Sequence, residues 1–487
     1  MSLKIFLITP PYHCGILEVA GTWTPLGFVY LAGELRAAGH NPVIYDAMTL
    51  NHDLNQIVER IIAEQPDVVA LTAFTASFPA TMDVLMAVKQ VNPEITTVLG
   101  GVHATFMYEE IFSQYPELVD FVIRGEGERT IVELAEALSG TGKPLAEIAG
   151  LAYPSGDGLV VTPKRRRLSE AELDSLKPAW DLLNWDDYRY FMVPGSTLAV
   201  ISSSRGCEEN CSFCSQQKFW EQSWRGRTPE SVISEIVHLN DEYGVNVFMF
   251  ADEYPTKDRK RWEAILDGII ALDREIYFLM ETRVEDIVRD ADILWKYKKA
   301  KVIHVYVGVE AADQEGLDKF NKNIKVEESR EALRLLKEAK IISETSFILG
   351  TPDETKGSIS KTLQQAIEYD PDFAHFLMLS PWPYADMYQE LEPHIVTKDY
   401  SKYNLIEPVI EPKNLSIQEL HKEMLACYRK FYLQKLPKWD KMEDDFNKKY
   451  LLNSMKEMLT NSFLKTHMKG LGQMPAVVEK YVKKLLA

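Results

Sequence analysis

Short apolar runs alternate with stretches of helical period through the first third of the chain. Lys4 to Ile8 is an apolar run ending in Thr9-Pro10-Pro11, which predicts a buried strand that stops where proline cannot continue a ladder. After a loop from Tyr12 to Trp23, apolar residues recur at helical spacing from Leu26 to Ala38 and close at Gly39. Pro42 to Tyr45 reads as a strand, Ile57 to Glu64 as a helix, Val68 to Thr72 as a strand and Thr81 to Val91 as a helix. Further strands are expected at Thr96 to Leu99, ending in Gly100-Gly101, and at Phe121 to Ile123, followed by Arg124-Gly125-Glu126-Gly127-Glu128. The alternation predicts an α/β domain over 1–142 built on a doubly wound parallel sheet. Ligands of such sheets bind beyond the carboxyl ends of the strands, where Thr9, Pro10, Thr72, Gly100, Gly101, Gly125, Glu126 and Gly127 fall. A nicotinamide site is not expected, because no Gly-x-Gly-x-x-Gly opens the first helix.

Between 143 and 192 the pattern breaks. A Gly-rich turn at Ser155-Gly156-Asp157-Gly158 and two tryptophans, Trp180 and Trp185, read as a linker with a little β structure. From 193 to 390 the alternation returns, and each strand now ends on polar residues. Val247 to Phe250 ends in Ala251-Asp252-Glu253, Tyr277 to Met280 in Glu281-Thr282-Arg283, and Val302 to Val309 in Glu310. Thr345 to Leu349 ends in Gly350-Thr351-Pro352, and Ala374 to Leu379 in Ser380-Pro381-Trp382-Pro383. With the run from Val200 to Ser204 these units predict a partial β/α barrel of six strands, with function at the strands' carboxyl ends. The remainder, 391–487, is expected to be helical, with long helices at Ile417 to Leu433 and Asp440 to Phe463. Cys427 falls on one face of the first, where Tyr428, Phe431 and Tyr432 form an aromatic stripe that reads as core.

A chain of 487 residues is long for one core, so two or three domains are expected. Its 46% apolar and 26% charged residues are those of an ordinary soluble globular protein. The net charge of -18 argues against a general nucleic-acid surface, which needs many phosphate-neutralising cations. The basic run Lys164-Arg165-Arg166-Arg167 reads as a solvated stretch of linker. No apolar run approaches the roughly 20 residues that span a bilayer, and the amino terminus is a strand leading to prolines rather than a signal peptide. A cytoplasmic location is therefore expected, where thiols stay reduced.

Chemistry concentrates in Cys207-Glu208-Glu209-Asn210-Cys211-Ser212-Phe213-Cys214, a loop that holds three of the five cysteines. A structural zinc site wants four N or S ligands in two separated pairs, and Cys14 and Cys427 are isolated at opposite ends of the chain. A 4Fe-4S cluster normally takes four thiolates, so a loop offering three leaves one iron open to a ligand that is not protein. Cys-x3-Cys-x2-Cys with an aromatic before the third cysteine resembles the cluster loop of the radical S-adenosylmethionine (SAM) enzymes. That resemblance implies that Cys207, Cys211 and Cys214 hold the cluster and that SAM chelates the open iron. By position it also implies that Asp252 and Glu253 reach the SAM amino group, that Arg283 lies near its carboxylate and Glu310 near the ribose, and that Gly350 lets the backbone approach the adenine.

The first domain resembles the Rossmann-like cobalamin-binding domains that precede many radical SAM cores. The resemblance is carried by Pro10-Pro11, Pro25-Leu26-Gly27, Leu31-Ala32, Gly100-Gly101-Val102-His103 and Arg124-Gly125-Glu126-Gly127-Glu128. The Asp-x-His-x-x-Gly signature that gives a histidine to cobalt in many cobalamin proteins is absent, so His13 and His103 are expected to be hydrogen-bonding or substrate-facing residues rather than axial ligands, His103 lying with the cofactor-binding strand ends.

Closer still, Glu18 to Trp23, Gly101 to Tyr108, Cys211 to Trp220 and Ser380 to Asp386 resemble the anaerobic magnesium-protoporphyrin IX monomethyl ester oxidative cyclases of bacteriochlorophyll biosynthesis. This implies a tetrapyrrole substrate, oxygen taken from water, and a flavodoxin- or ferredoxin-type electron donor. Phe219, Trp220, Trp224, Trp382 and Tyr384 are candidates for an aromatic-walled cleft. A cobalamin-dependent radical methyltransferase fits the same parts. A cobalamin-binding sensor with a vestigial cluster fits the cysteine triad and acidic strand ends poorly.

Overall fold

In the computed structural model, which describes residues 1–15, 19–156 and 158–463, the chain forms two parallel sheets whose carboxyl ends face each other. Glu18 and Asp157, which fell within stretches singled out above, lie outside the described residues. The first sheet orders its strands β2-β1-β3-β4-β5-β6-β7. Its parallel part is β1 (Lys4–Ile8), β2 (Asn41–Tyr45), β3 (Val68–Thr72), β4 (Thr96–Gly100) and β5 (Phe121–Ile123). β1 pairs with both β2 and β3, and Ile5, Phe6, Leu7 and Ile8 are all buried. Helices cover both faces of such a strand, which is why it reads as a continuous apolar run.

The helices between them are α1 (Leu26–Ala37), α2 (Leu54–Glu64), α3 (Phe78–Val91), α4 (Gly101–Gln114) and α5 (Glu128–Leu138). α2 starts on a reciprocal cap. The Asp53 carboxylate accepts from the Gln56 backbone N–H, and the Gln56 side chain accepts from that of Asp53. In α1, a Cβ at Gly33 would stand 1.8 Å from the Lys177 carbonyl oxygen, so only glycine admits the linker that crosses this helix. α4 begins at the Gly100-Gly101 strand end, where no helix was expected, and is kinked at Met107.

The stretch 143–192 divides in the structure. β6 (Leu151–Ser155) and β7 (Gly158–Val161) extend the first sheet as antiparallel strands, and the rest wraps along α1 to the second sheet. The basic run is solvated only in part. Lys164 and Arg166 are exposed as expected, Arg166 pairing with Glu172 within the linker itself, whereas Arg165 pairs with Glu133 of α5 and Arg167 donates to the Phe219 carbonyl while lying over the Trp220 ring. Two of the four cations thus tie the linker, one to each domain.

The second sheet has six parallel strands in the order β15-β14-β13-β12-β11-β8. They are β8 (Leu198–Ile201), β11 (Val247–Phe250), β12 (Tyr277–Thr282), β13 (Val302–Glu310), β14 (Ile342–Leu349) and β15 (Phe373–Met378). A short ribbon, β9 (Ser204–Arg205) with β10 (Arg225–Gly226), brackets the cysteine loop. The helix Ile417–Asp440 lies against β15, and Asp445–Asn461 packs across from it, so Cys427, Tyr428, Phe431 and Tyr432 are core. Among the described residues no helix is long and apolar enough to cross a membrane.

Candidate functional site

A cleft of about 650 Å³ opens between the carboxyl ends of the two sheets. Thr9, Pro10, Thr72, Gly100, Gly101, Gly125, Glu126 and Gly127 line it from the first sheet, and Ser202, Ser204, Arg205 and Glu253 from the second. Gly101 has φ +91, and a Cβ there would come within 2.5 Å of the Thr72 hydroxyl. At Gly27 and Gly125 a Cβ would meet nothing within 4 Å and would project into open space. The floor is therefore bare backbone, as a flat ligand lying close to it requires. Phe74, 63% exposed, stands over this floor; an apolar residue with so little cover beside small residues was legible in Thr72-Ala73-Phe74 but was not picked out.

Not every residue at these strand ends faces a ligand. The Thr9 hydroxyl donates to Asp46 at 2.7 Å and accepts from the Met48 N–H, closing off its own end of the cleft. His103 takes the hydrogen-bonding role expected of it but not a place at the cofactor, because it lies wholly buried behind the cleft. Its Nδ1 is 3.1 Å from the Thr75 hydroxyl, its ring packs on Phe78, and burial pushes its pKa down to about 3. Thr75 also meets the Tyr384 hydroxyl at 2.8 Å, so this chain of contacts joins the two domains. His13 is exposed.

Glu126 is the hinge pin of the same junction. Its carboxylate accepts from Arg205 at 2.9 Å, from Arg225 at 2.9 Å and from the Leu168 N–H, while Arg205 also pairs with buried Glu128. Burial alone would raise the Glu126 pKa, but Arg205 and Arg225 hold it below the usual carboxylate range. Removing one partner of a buried ion pair costs about 3–5 kcal/mol. Glu126→Gln is thus expected to lower the thermal midpoint of the protein markedly at neutral pH. A carboxyl with a depressed folded pKa contributes stability above its unfolded pKa and loses it as pH falls through the folded value. The gap between the two proteins should therefore narrow in acid, and thermal melts at neutral and acid pH that show a constant gap would refute the assignment.

The cysteine loop leaves the second sheet at Arg205-Gly206. Burial raises the Cys207 thiol to about 11 and the Cys214 thiol to about 12, and raises Cys211 as well. Arg283 opposes this at Cys207 and Cys211, and Lys322 at Cys211 and Cys214. Three neighbouring thiols in a dry pocket beside two cations are a donor set for an anionic iron-sulfur group, whose irons drive deprotonation. Among the described residues no three His, Cys, Asp or Glu side chains converge as a single ion demands. A four-iron cluster spreads its thiolates over several metals and makes no such demand.

The acidic strand ends divide into two kinds. Asp252 does not reach the cleft as expected: fully buried, it accepts from the Ser203 N–H at 2.9 Å and from the Ser203 and Ser204 hydroxyls, and so shapes the approach to the cysteine loop. Glu253 does line the cleft, accepting from the Trp220 indole at 2.7 Å and the Gly206 N–H at 3.2 Å, and burial raises its pKa. Arg283 pairs with Glu285 and Glu209 beside the loop. Gly350, with φ +90, donates its N–H to Glu354.

Glu310 sits at φ +64, at a register shift in β13, and pairs with buried Lys322 at 3.0 Å. A Cβ at Gly308 would lie 2.4 Å from the Glu310 carboxylate, so glycine there leaves room for the pair. Lys322 gave no sequence signal, being a loop lysine 12 residues beyond its partner. Glu281 was legible, since it stands at an inward position of a strand end; burial, then Glu253 and Asp252, raise its pKa to about 8. Of the expected aromatics, Phe219 and Trp220 line the cleft. Trp224 instead donates to the Tyr254 carbonyl, Trp382 packs near Phe213, and Tyr384 stacks on Phe106 at 4.8 Å.

Comparison with known proteins agrees with this division. The B12 binding domain family matches residues 12–135, and the radical SAM superfamily matches residues 201–366. An anaerobic magnesium-protoporphyrin IX monomethyl ester cyclase of Cereibacter sphaeroides is 38% identical over 94% of this chain and 75% of its own length. An uncharacterized methyltransferase of Pyrococcus horikoshii is 32% identical over 89% of this chain and 93% of its own. The cobalamin-dependent SAM radical enzyme OxsB, solved with aqua-cobalamin and SAM bound, superposes with a TM-score of 0.68 at 15% identity, covering 100% of this chain and 84% of that one, which shows a shared fold.

Proposed function

Because the chain belongs to the cobalamin-binding radical SAM enzymes, in the family of the anaerobic magnesium-protoporphyrin IX monomethyl ester cyclases, we propose that it oxidatively cyclises a metallated tetrapyrrole ester. The reaction would convert the esterified propionate side chain to a ketone, with oxygen from water, and close the fifth ring to give divinyl protochlorophyllide. The observation that carries the reading is the single cleft into which the carboxyl ends of both sheets open, flanked by the cysteine loop. Family membership gives the enzyme three cofactors, cobalamin, SAM and a 4Fe-4S cluster. When bound, cluster and SAM supply a carbon radical able to take an unactivated C–H hydrogen, and cobalamin supplies an electron acceptor or a hydroxyl carrier beside the product of that step.

The protein's own part is placement and exclusion of water. Cys207, Cys211 and Cys214 would hold the cluster, with Arg283 and Lys322 offsetting its charge. Glu253, with its two donors already fixed, would present its carboxylate to the SAM amino group. The floor formed by Gly100, Gly101 and Gly125 would seat the corrin, and Phe219 and Trp220 would wall the cleft. A second reading, methyl transfer to an unactivated carbon, draws support from the Pyrococcus relative and uses the same site.

Anaerobic turnover of the reconstituted protein with magnesium-protoporphyrin monomethyl ester, in water enriched in heavy oxygen, separates the two. The expected product carries the label and appears together with deoxyadenosine. Deoxyadenosine with S-adenosylhomocysteine and a methylated product would replace the cyclase reading with methyl transfer.

A further inference from the structure

Phe74 is 63% exposed, more than any other large apolar side chain among the described residues except the terminal Met1. The turn that carries it is nevertheless held at three successive residues. Ala73 donates its N–H to the Gly100 carbonyl and accepts from the His103 N–H. The Phe74 N–H donates to the Ser77 hydroxyl at 3.0 Å, which donates back to the Phe74 carbonyl at 3.2 Å. Thr75, wholly buried, meets both the His103 ring and the Tyr384 hydroxyl. A fixed backbone thus keeps a bare aromatic ring in the cleft, where an uncovered apolar surface marks a contact with a ligand.

Strand order sets which part of a ligand meets that ring. β3, which ends at Thr72, is the middle one of the five parallel strands, with β1 on one side and β4 and β5 on the other. Neighbouring strands stand roughly 5 Å apart, so the floor from Pro10 across to Gly125 is about 15 Å wide and Phe74 rises near its centre. Around Phe74 the floor carries little side chain, since Gly100, Gly101 and Gly125 are backbone alone. A flat macrocycle seated there would set the middle of one face, where its metal lies, against the phenyl ring.

The described residues along the cleft include no histidine, cysteine or lysine. The histidine attached to this turn, His103, is wholly buried on its far side, with its ring 4.3 Å from that of Phe78 and 5.0 Å from that of Tyr400. Met48, the one sulfur donor in the described lining, follows β2 at the edge of the floor. A phenyl ring has no lone pair to give a metal, and it excludes the water that would otherwise take that place.

For the cobalamin that family membership supplies, we propose that Phe74 covers the floor-side face of the cobalt, giving it no ligand and admitting no water, so that ligand exchange is confined to the face toward the cysteine loop. The test is electron paramagnetic resonance of the anaerobic protein loaded with cob(II)alamin, because an axial nitrogen splits the cobalt lines into triplets. Wild type should show no such splitting, although cobalamin carries a nitrogenous base of its own. Phe74→His should show triplets that turn to doublets when the protein is made with histidine of heavy nitrogen. Wild type made with ring-deuterated phenylalanine should also show deuterium modulation of the cobalt spin echo, and Phe74→Leu should lose it. Nitrogen splitting in wild type, its absence from cobalamin-loaded Phe74→His, or deuterium modulation that survives in Phe74→Leu would each overturn the proposal. Where Phe74→His takes up no cobalamin, the deuterium result decides. None of these readouts involves the substrate, so the cyclase reading stands or falls by its own experiment.

Discussion

Replacing Cys207, Cys211 or Cys214 singly with alanine is expected to reduce the iron of anaerobically reconstituted protein from about four atoms per chain to nearly none, and to abolish deoxyadenosine formation. Three thiolates are the fewest that leave one iron open while holding the others. Losing any one leaves a cluster anchored on two points in a pocket whose burial already disfavours thiolate. The loop cannot recruit a replacement, since Cys427 is buried in the helix Ile417–Asp440. Iron and sulfide assays, with SAM cleavage followed by chromatography, read both effects. A single variant that kept four irons and cleaved SAM would remove the triad from its assigned role, and Cys14→Ala, which should keep both, controls for general damage.

The second large effect concerns Lys322. Lys322→Met removes the cation from a pair in which both side chains are under a tenth exposed, leaving Glu310 as a lone buried carboxylate. The expected cost is about 3–5 kcal/mol of stability. Burial by itself lowers the Lys322 pKa, yet Glu310 and then Cys211 hold it above the usual lysine value, so the ammonium also offsets charge at the cluster loop. The variant should therefore fall in thermal midpoint and, once reconstituted, show a more negative cluster reduction potential. Glu310→Gln combined with Lys322→Met should recover much of the stability, because no charge is then stranded, and part of the potential, because Glu310 acts on Cys211 with the opposite sign to Lys322 and less strongly. A potential unchanged by Lys322→Met would mean that the lysine has no part in offsetting charge at the loop, and no change in stability would mean that the pair does not form.

Much of the architecture was legible beforehand because each layer has its own period. The parallel strands of both sheets fall where apolar runs of three to nine residues end at Gly, Pro or a polar group, and their order along the chain gives the α/β class. Lys4–Ile8, Val68–Thr72, Phe121–Ile123 and Val247–Phe250 match their expected limits residue for residue. The limits of the other parallel strands moved by one to three residues, as with β14, whose polar Glu344 hid its first half, and the two C-terminal helices run Ile417–Asp440 and Asp445–Asn461 rather than to Leu433 and from Asp440. The cysteine loop was legible because its chemistry is local, with three thiols on eight consecutive residues.

What failed to show is what depends on residues far apart in the chain. His103 and Asp252 sit at strand ends like their neighbours, and only the packing of α3 and of Ser203-Ser204 turns them away from the cleft. The Glu310–Lys322 pair and the double arginine clamp on Glu126 are each assembled from separate elements, and each of these residues taken alone reads as a surface or core position.

The sequence by itself determined that this chain carries a cluster loop, two parallel α/β sheets and a family membership, because those properties rest on spacing, period and local residue chemistry. Only the tertiary structure decided which strand-end residues line the cleft and which charges are buried in pairs. Those outcomes depend on how neighbouring elements desolvate a side chain and which of its polar atoms they occupy, and neither is encoded in any one stretch of the chain.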